Sequence, residues 1–195
     1  MGEDYNLWEN FKKGKDYAVS EIYDRHVDFL FNYGKKFTGD EDIVLDTIQD
    51  IFFDLIRNRK NLGATDNIRL YLLKTFRRKL IRALEKSKKY GVMPDFQEEI
   101  SPDISFSIEE QMIQDEESAQ KIKLITEALH QLNQRQREIL YYKFTCGFDY
   151  PEICELMSIS YDTARQLVSR TIQSLKKSLP PKLAPLLFIC LSKKR

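Results

Sequence analysis

Apolar residues recur along most of this chain at the three- and four-residue spacing of a helix, and no stretch alternates as a strand between hairpin turns. A first long segment begins near Asp16, carries Val19, Ile22, Tyr23, Val27 and Leu30, and stops between Gly34 and Gly39. A second, from about Asp40 to Arg59, sets Val44, Ile48, Phe52 and Leu55 on one stripe and is broken by Asn61-Leu62-Gly63. A third runs from about Asp66 to Tyr90 and ends ahead of Gly91 and Pro94. Three packed helices are therefore expected in an N-terminal domain, residues 1–90. Residues 91–106 hold Pro94 and Pro102 among acidic residues without a sustained period, which reads as a linker. Helix signals resume at the capping-box pattern Ser107-x-x-Glu110, continue through Ile122, Ile125, Leu129 and Leu132, and restart at Asn133-x-x-Gln136 until Gly147. The expected fold is all-α: two small helical domains joined by an acidic linker.

The third segment has two faces. Leu72, Phe76, Leu80 and Leu84 step by four, and Lys74, Arg78, Arg82 and Lys86 do so two residues later, about 200° around the helix. One face should pack while the other meets solvent or phosphate, with Arg77 and Lys79 widening the basic edge. Tyr71 and Phe76 fit either core packing or stacking on an unpaired base.

Further on, Asp149-x-x-Glu152 is a capping box, Pro151 suits a first helical turn, and Ile153, Leu156 and Met157 supply an apolar side. After Met157-Ser158-Ile159-Ser160, with Ser160 placed to cap, a second helix gathers Ala164, Leu167, Val168, Thr171 and Leu175 on one side. Arg165, Gln166, Ser169, Arg170, Gln173, Lys176 and Lys177 fill the other. An apolar back with an Arg and Gln front is what a major-groove reader needs, so residues 107–179 are expected to hold a DNA-binding helix-turn-helix. A solvated amphipathic helix is the plainer alternative. The tail, residues 180–195, could pack as a helix on this domain or bind a partner.

Lys and Arg total 31 against 30 Asp and Glu, so net charge alone says nothing of partners. Its distribution does. Residues 69–89 hold nine basic residues against Glu85, whereas every charge in residues 92–120 is negative. Basic lobes flanking an acidic middle favour a polyanion touched at two places. Cys146, Cys154 and Cys190 form no paired motif, which argues against a disulfide framework or a zinc site. His26 and His130 stand alone, and no phosphate loop, nucleophile elbow or metal motif is present, so neither an enzyme nor a cofactor is expected. The charged opening run and the short apolar run at residues 186–191 predict neither a signal peptide nor membrane insertion, and a cytoplasmic location.

Two motifs resemble a known family, the small two-domain sigma factors of bacterial RNA polymerase, of the extracytoplasmic-function group. Asp46-Thr-Ile-Gln49-Asp50-Ile-Phe52 is similar to its polymerase-binding motif, and residues 150–170 are similar to its C-terminal helix-turn-helix. The resemblance implies that Asp46, Gln49 and Asp50 meet the clamp helices of core RNA polymerase, and that the N-terminal domain melts the start-proximal promoter element. It assigns Asn61, Ala64, Thr65 and Asp66 to the loop that captures an unstacked base, and Lys74, Arg77, Arg78 and Arg82 to guiding the strand. It gives Arg165, Gln166, Ser169 and Arg170 the minus-thirty-five element. Core polymerase and promoter DNA are then the expected partners, with an anti-sigma factor as a further one. Three positions depart from the family pattern: Arg78 stands where Asn is usual, Ser158 replaces a turn glycine, and Asn133 stands where Pro is common. A stand-alone helix-turn-helix regulator with an N-terminal sensor or dimerisation domain is the alternative reading; it leaves the Asp46–Phe52 motif unexplained.

Overall fold

The computed structural model describes residues 2–89, 102, 116–183, 185, 187 and 191. It is all-helical over these residues and divides into two compact units, with the division between Ser101 and Pro102. The acidic segment 91–106, Pro102 apart, and the Ser107-x-x-Glu110 pattern lie outside the described residues.

Among its described residues the N-terminal unit contains four α-helices rather than the expected three, α1 (Glu3–Lys12), α2 (Asp16–Gly34), α3 (Glu41–Asn58) and α4 (Ile68–Lys89), with a 3-10 turn over Arg59–Asn61 following α3. The additional helix, α1, buries Leu7, Trp8 and Phe11 from a run whose charged residues hide its apolar side in the sequence. Asp40 starts α3 by accepting the amides of Asp42 and Ile43 at 3.1 and 3.2 Å, which satisfies two of the amide groups a helix start leaves open. Leu72, Phe76, Leu80 and Leu84 are all buried, as the stripe on α4 predicts. Gly34 lets α2 approach its neighbours closely: a Cβ there would lie 2.6 Å from a Val44 methyl and 2.9 Å from the Phe76 ring. Tyr33, Phe76 and Trp8 are fully enclosed, each contributing about 1.5–3 kcal/mol through burial.

The C-terminal unit comprises α5 (Glu116–His130), α6 (Gln134–Leu140), α7 (Tyr150–Met157) and α8 (Tyr161–Ser178), with a π-turn over Tyr141–Thr145 extending α6. One core of this unit gathers Ile125, Ala128, Leu129, Leu132, Leu140 and Leu175 with Leu179, just past α8, and Leu183, Leu187 and Leu191 of the tail. Those last four leucines step by four and line one side of the tail, and Thr145 Oγ1 donates to the Leu191 carbonyl at 2.9 Å. The tail's described positions thus complete the core of this unit.

Candidate functional site

Three surfaces carry the residues singled out by sequence. On α3, Asp46, Gln49 and Asp50 are exposed while Ile48 and Phe52 are buried beneath them. The helix period puts the three on one edge. Beside them lie apolar side chains that sequence reasoning missed: Leu45, Phe53 and Ile56, with Phe53 64 % exposed. Charge and apolar surface therefore share one face of α3, the composition of a protein-binding patch. Lys79 corrects the expected basic edge of α4. Its ammonium reaches across to Asp54 at 2.7 Å and lies 3.8 Å from Asp50, so it belongs to the acidic face and tempers its charge.

On α4, Lys74, Arg78, Arg82 and Lys86 are exposed in a row and Arg77 is half-buried. Phe76 is fully buried, and Tyr71 lies half-buried with its ring 4.9 Å from that of Trp8, so both aromatics serve the core. Burial pushes the Tyr71 phenol above its ordinary range, with Arg78 opposing. The loop leading into α4 exposes Asn61, Ala64 and Asp66, with Thr65 half-buried. It is far from slack. The Trp8 indole donates to the Gly63 carbonyl at 2.8 Å, Asp4 accepts the Ile68 amide at 3.0 Å, and Asn67 accepts the Leu70 amide at 2.9 Å.

In the C-terminal unit, Asp149 and Glu152 form a reciprocal capping box at the start of α7. Ser158 then takes a left-handed conformation, φ 54° and ψ 47°, and Ser160 caps α8 by accepting the Thr163 amide at 3.2 Å. Ala164, Val168, Thr171 and Leu175 turn inward; Arg165, Gln166, Ser169, Arg170, Gln173, Lys176 and Lys177 are exposed. Sequence reasoning missed an aromatic chain at the mouth of α8: the Tyr150 and Tyr161 rings meet edge-on at 5.6 Å, Lys143 lies 4.7 Å from Tyr150, and Arg165 lies 6.0 Å from Tyr161. Asn133, at the position of a usual proline, forms its own capping box with Gln136. No group of metal-ligating side chains gathers among the described residues, and no described helix is long and apolar enough to cross a membrane.

These two units correspond to two regions of a single class of proteins, the subunits that give bacterial RNA polymerase its promoter specificity. Sigma-70 region 2 matches residues 22–90 and sigma-70 region 4 matches residues 122–175. The chain belongs to the sigma-70 family: it is a sigma factor, which directs core RNA polymerase and leaves the chemistry of RNA synthesis to that enzyme. No curated protein matches the chain. Among solved structures, CnrH in complex with the cytosolic domain of CnrY is 17 % identical with a TM-score of 0.56, the match covering 89 % of this chain and 95 % of that one. The sigma factor RpoE of Bartonella quintana, in complex with the anti-sigma factor NepR, is 16 % identical with a TM-score of 0.52, the match covering 82 % of this chain and 94 % of that one. Both likenesses concern the fold.

Proposed function

We propose that this sigma factor is of the extracytoplasmic-function type, gripping core polymerase through the exposed face of α3 and touching promoter DNA with both units. Asp46, Gln49 and Asp50 supply charge and amide contacts to basic clamp helices, and Leu45, Phe53 and Ile56 supply the apolar centre that gives such an interface its affinity. The acidic residues chiefly set approach and register. Asn61, Ala64, Thr65 and Asp66 form the wall of a base-capturing loop, and Lys74, Arg77, Arg78 and Arg82 carry the separated strand. Capture of an unpaired base offsets the few kcal/mol lost on unstacking, so melting needs no fuel. Residues 150–178 act as a helix-turn-helix, with Arg165, Gln166, Ser169 and Arg170 reading base edges of the minus-thirty-five element. An anti-sigma protein is the further partner, in keeping with the complex of RpoE with the anti-sigma factor NepR.

The observation that carries this reading is the α3 face, where the Asp46–Phe52 motif leaves its polar residues exposed next to unburied apolar side chains. It is tested by binding to core RNA polymerase in solution. The wild-type chain should co-purify with core enzyme, and the Asp46→Lys, Asp50→Lys double variant should lose at least about tenfold in affinity while keeping its helical circular dichroism. Undiminished binding by that variant overturns the role given to this face.

A further inference from the structure

We infer that α1 is part of the base-capturing apparatus: Trp8 and Asp4 are positioning residues that hold the loop between α3 and α4 at its middle and where it enters α4. The inference rests on the reading of that loop as the strand-capturing element and asks what gives the loop its shape. Its own sequence offers little. Gly63 and Ala64 carry no side chain able to fix it, and its internal polar bonds are those of Thr65 and Asn67.

The hold comes from about sixty residues upstream. Trp8 is fully buried, and its indole Nε1 reaches the Gly63 carbonyl at 2.8 Å; Asp4, one helical turn earlier, accepts the Ile68 amide at 3.0 Å. One turn of α1 thus grips the loop at Gly63, just past a 3-10 turn over Arg59–Asn61, and again where α4 begins; Ala64 and Asp66 stay exposed between the grips, with Asn61 exposed ahead of them. The Trp8 ring packs at 4.9 Å against Tyr71 on the first turn of α4, which fixes the approach of the two helices. Leu7 and Phe11 anchor α1 by burial, whereas the Trp8 indole N–H goes to the loop and an Asp4 carboxylate oxygen to the first residue of α4.

The physical consequence concerns discrimination between bases. A loop that must be ordered when the base arrives subtracts that entropy from binding, and a loose loop accommodates the wrong base nearly as well as the right one. A loop held beforehand presents fixed donors and acceptors, and a mismatch then leaves a polar group unpaired. Because α1 precedes residues 22–90, this hold is contributed from outside the part of the chain that matches region 2.

The test uses the full chain assembled with core RNA polymerase and a duplex DNA library randomised across both promoter elements, from which open complexes are selected and sequenced. Wild type should enrich one base sharply at the captured position. Trp8→Phe keeps a ring but removes the donor, and Asp4→Ala removes the acceptor; each should lower that enrichment by about three- to tenfold. Preference in the upstream element and affinity for core enzyme should be unchanged, and Asp4→Asn, which keeps an oxygen acceptor, should restore most of the loss. Undiminished enrichment in both variants overturns the inference, as does an equal loss at every position of both elements, which marks a merely structural role. If wild type itself enriches no base there, the reading of the loop fails, and the inference with it.

Discussion

In the C-terminal unit the starts of α6, α7 and α8 are each set by a bond spanning three residues: Asn133 with Gln136, Asp149 with Glu152, Ser160 with Thr163. In the N-terminal unit Asp40 and Asn67 cap α3 and α4 locally, and long-range bonds are added to these at the candidate surfaces, joining Trp8 to Gly63, Asp4 to Ile68 and Lys79 to Asp54. The C-terminal unit sets α8 by local chemistry; the N-terminal unit adds tertiary packing to shape its loop and its acidic face. Local caps fail one at a time, at about 1 kcal/mol each. A loop held by another helix fails together with the core that seats that helix, so damage to the N-terminal core should reach function before it abolishes the fold.

The largest test of this contrast lies where the C-terminal unit departs from local construction, in its tail. Leu187 is fully buried in a core shared with α5, α6 and α8. Leu187→Ala should cost about 2–5 kcal/mol, read as a lower urea midpoint and as faster amide exchange in α5 and α8. Exchange confined to the tail itself would mean that the leucines decorate the unit without completing it. Next comes Gly34→Ala. The added methyl must displace Val44 and the Phe76 ring, so about 1–3 kcal/mol of stability should be lost from the N-terminal unit. That loss should exceed the roughly 0.5–1 kcal/mol a glycine-to-alanine change ordinarily adds in a helix interior.

This same division decides how much was legible in the sequence. The helices α2 to α4 and the caps at Asn133, Asp149 and Ser160 follow from spacing and side-chain type within a few residues, so they could be read directly. The helix α1 could not, because Leu7, Trp8 and Phe11 are only three apolar positions in a polar run, and what makes them helical is a core formed by distant segments. The stripe through Val44, Ile48, Phe52 and Leu55 turns Phe52 inward, as α3 does, but helical period does not tell whether another segment covers Phe53, which α3 leaves exposed. Lys79 shares a helix with the basic row, and its partner Asp54 lies on a different one. The tail's period of four is masked by Pro180, Pro181 and Pro185, which read as breakers although Leu183, Leu187 and Leu191 all reach the core.

A smaller effect, of opposite sign to the first two, is expected at the turn before α8. Ser158 occupies the left-handed region at φ 54°, where a Cβ costs about 1 kcal/mol and glycine costs none. Ser158→Gly should therefore raise the stability of the C-terminal unit by up to about 1 kcal/mol, the unfolded-state entropy of glycine reducing the gain. Thermal unfolding checks this, and DNA affinity should stay the same, since the turn is local and α8 keeps its own cap at Ser160. A change in promoter preference with Ser158→Gly would mean that the strained turn sets the angle of α8.

The smallest difference between the units is their response to acid. His26 on α2 is buried and its Nε2 has no hydrogen-bond partner; burial holds its imidazole below the ordinary range, Asp4 opposes this, and Arg69 and Arg25 add to it. An imidazole harder to protonate in the folded chain than in the unfolded one leaves stability intact above the unfolded value of about 6.5 and withdraws it as pH falls below. Glu152 in the C-terminal unit runs the other way: burial is the main cause that raises its carboxyl, so the folded chain holds that proton more readily and the unit is relieved as pH falls toward the carboxylate range. Between pH 8 and pH 5.5 the urea midpoint should therefore drop through the N-terminal unit, and His26→Gln should flatten that drop. Because Asp4 both acts electrostatically on His26 and accepts the Ile68 amide, protonating the imidazole draws on the carboxylate that holds the start of α4. Exchange at the Ile68 amide should rise over the same pH interval in wild type, after correction for the intrinsic rate, and stay level in His26→Gln.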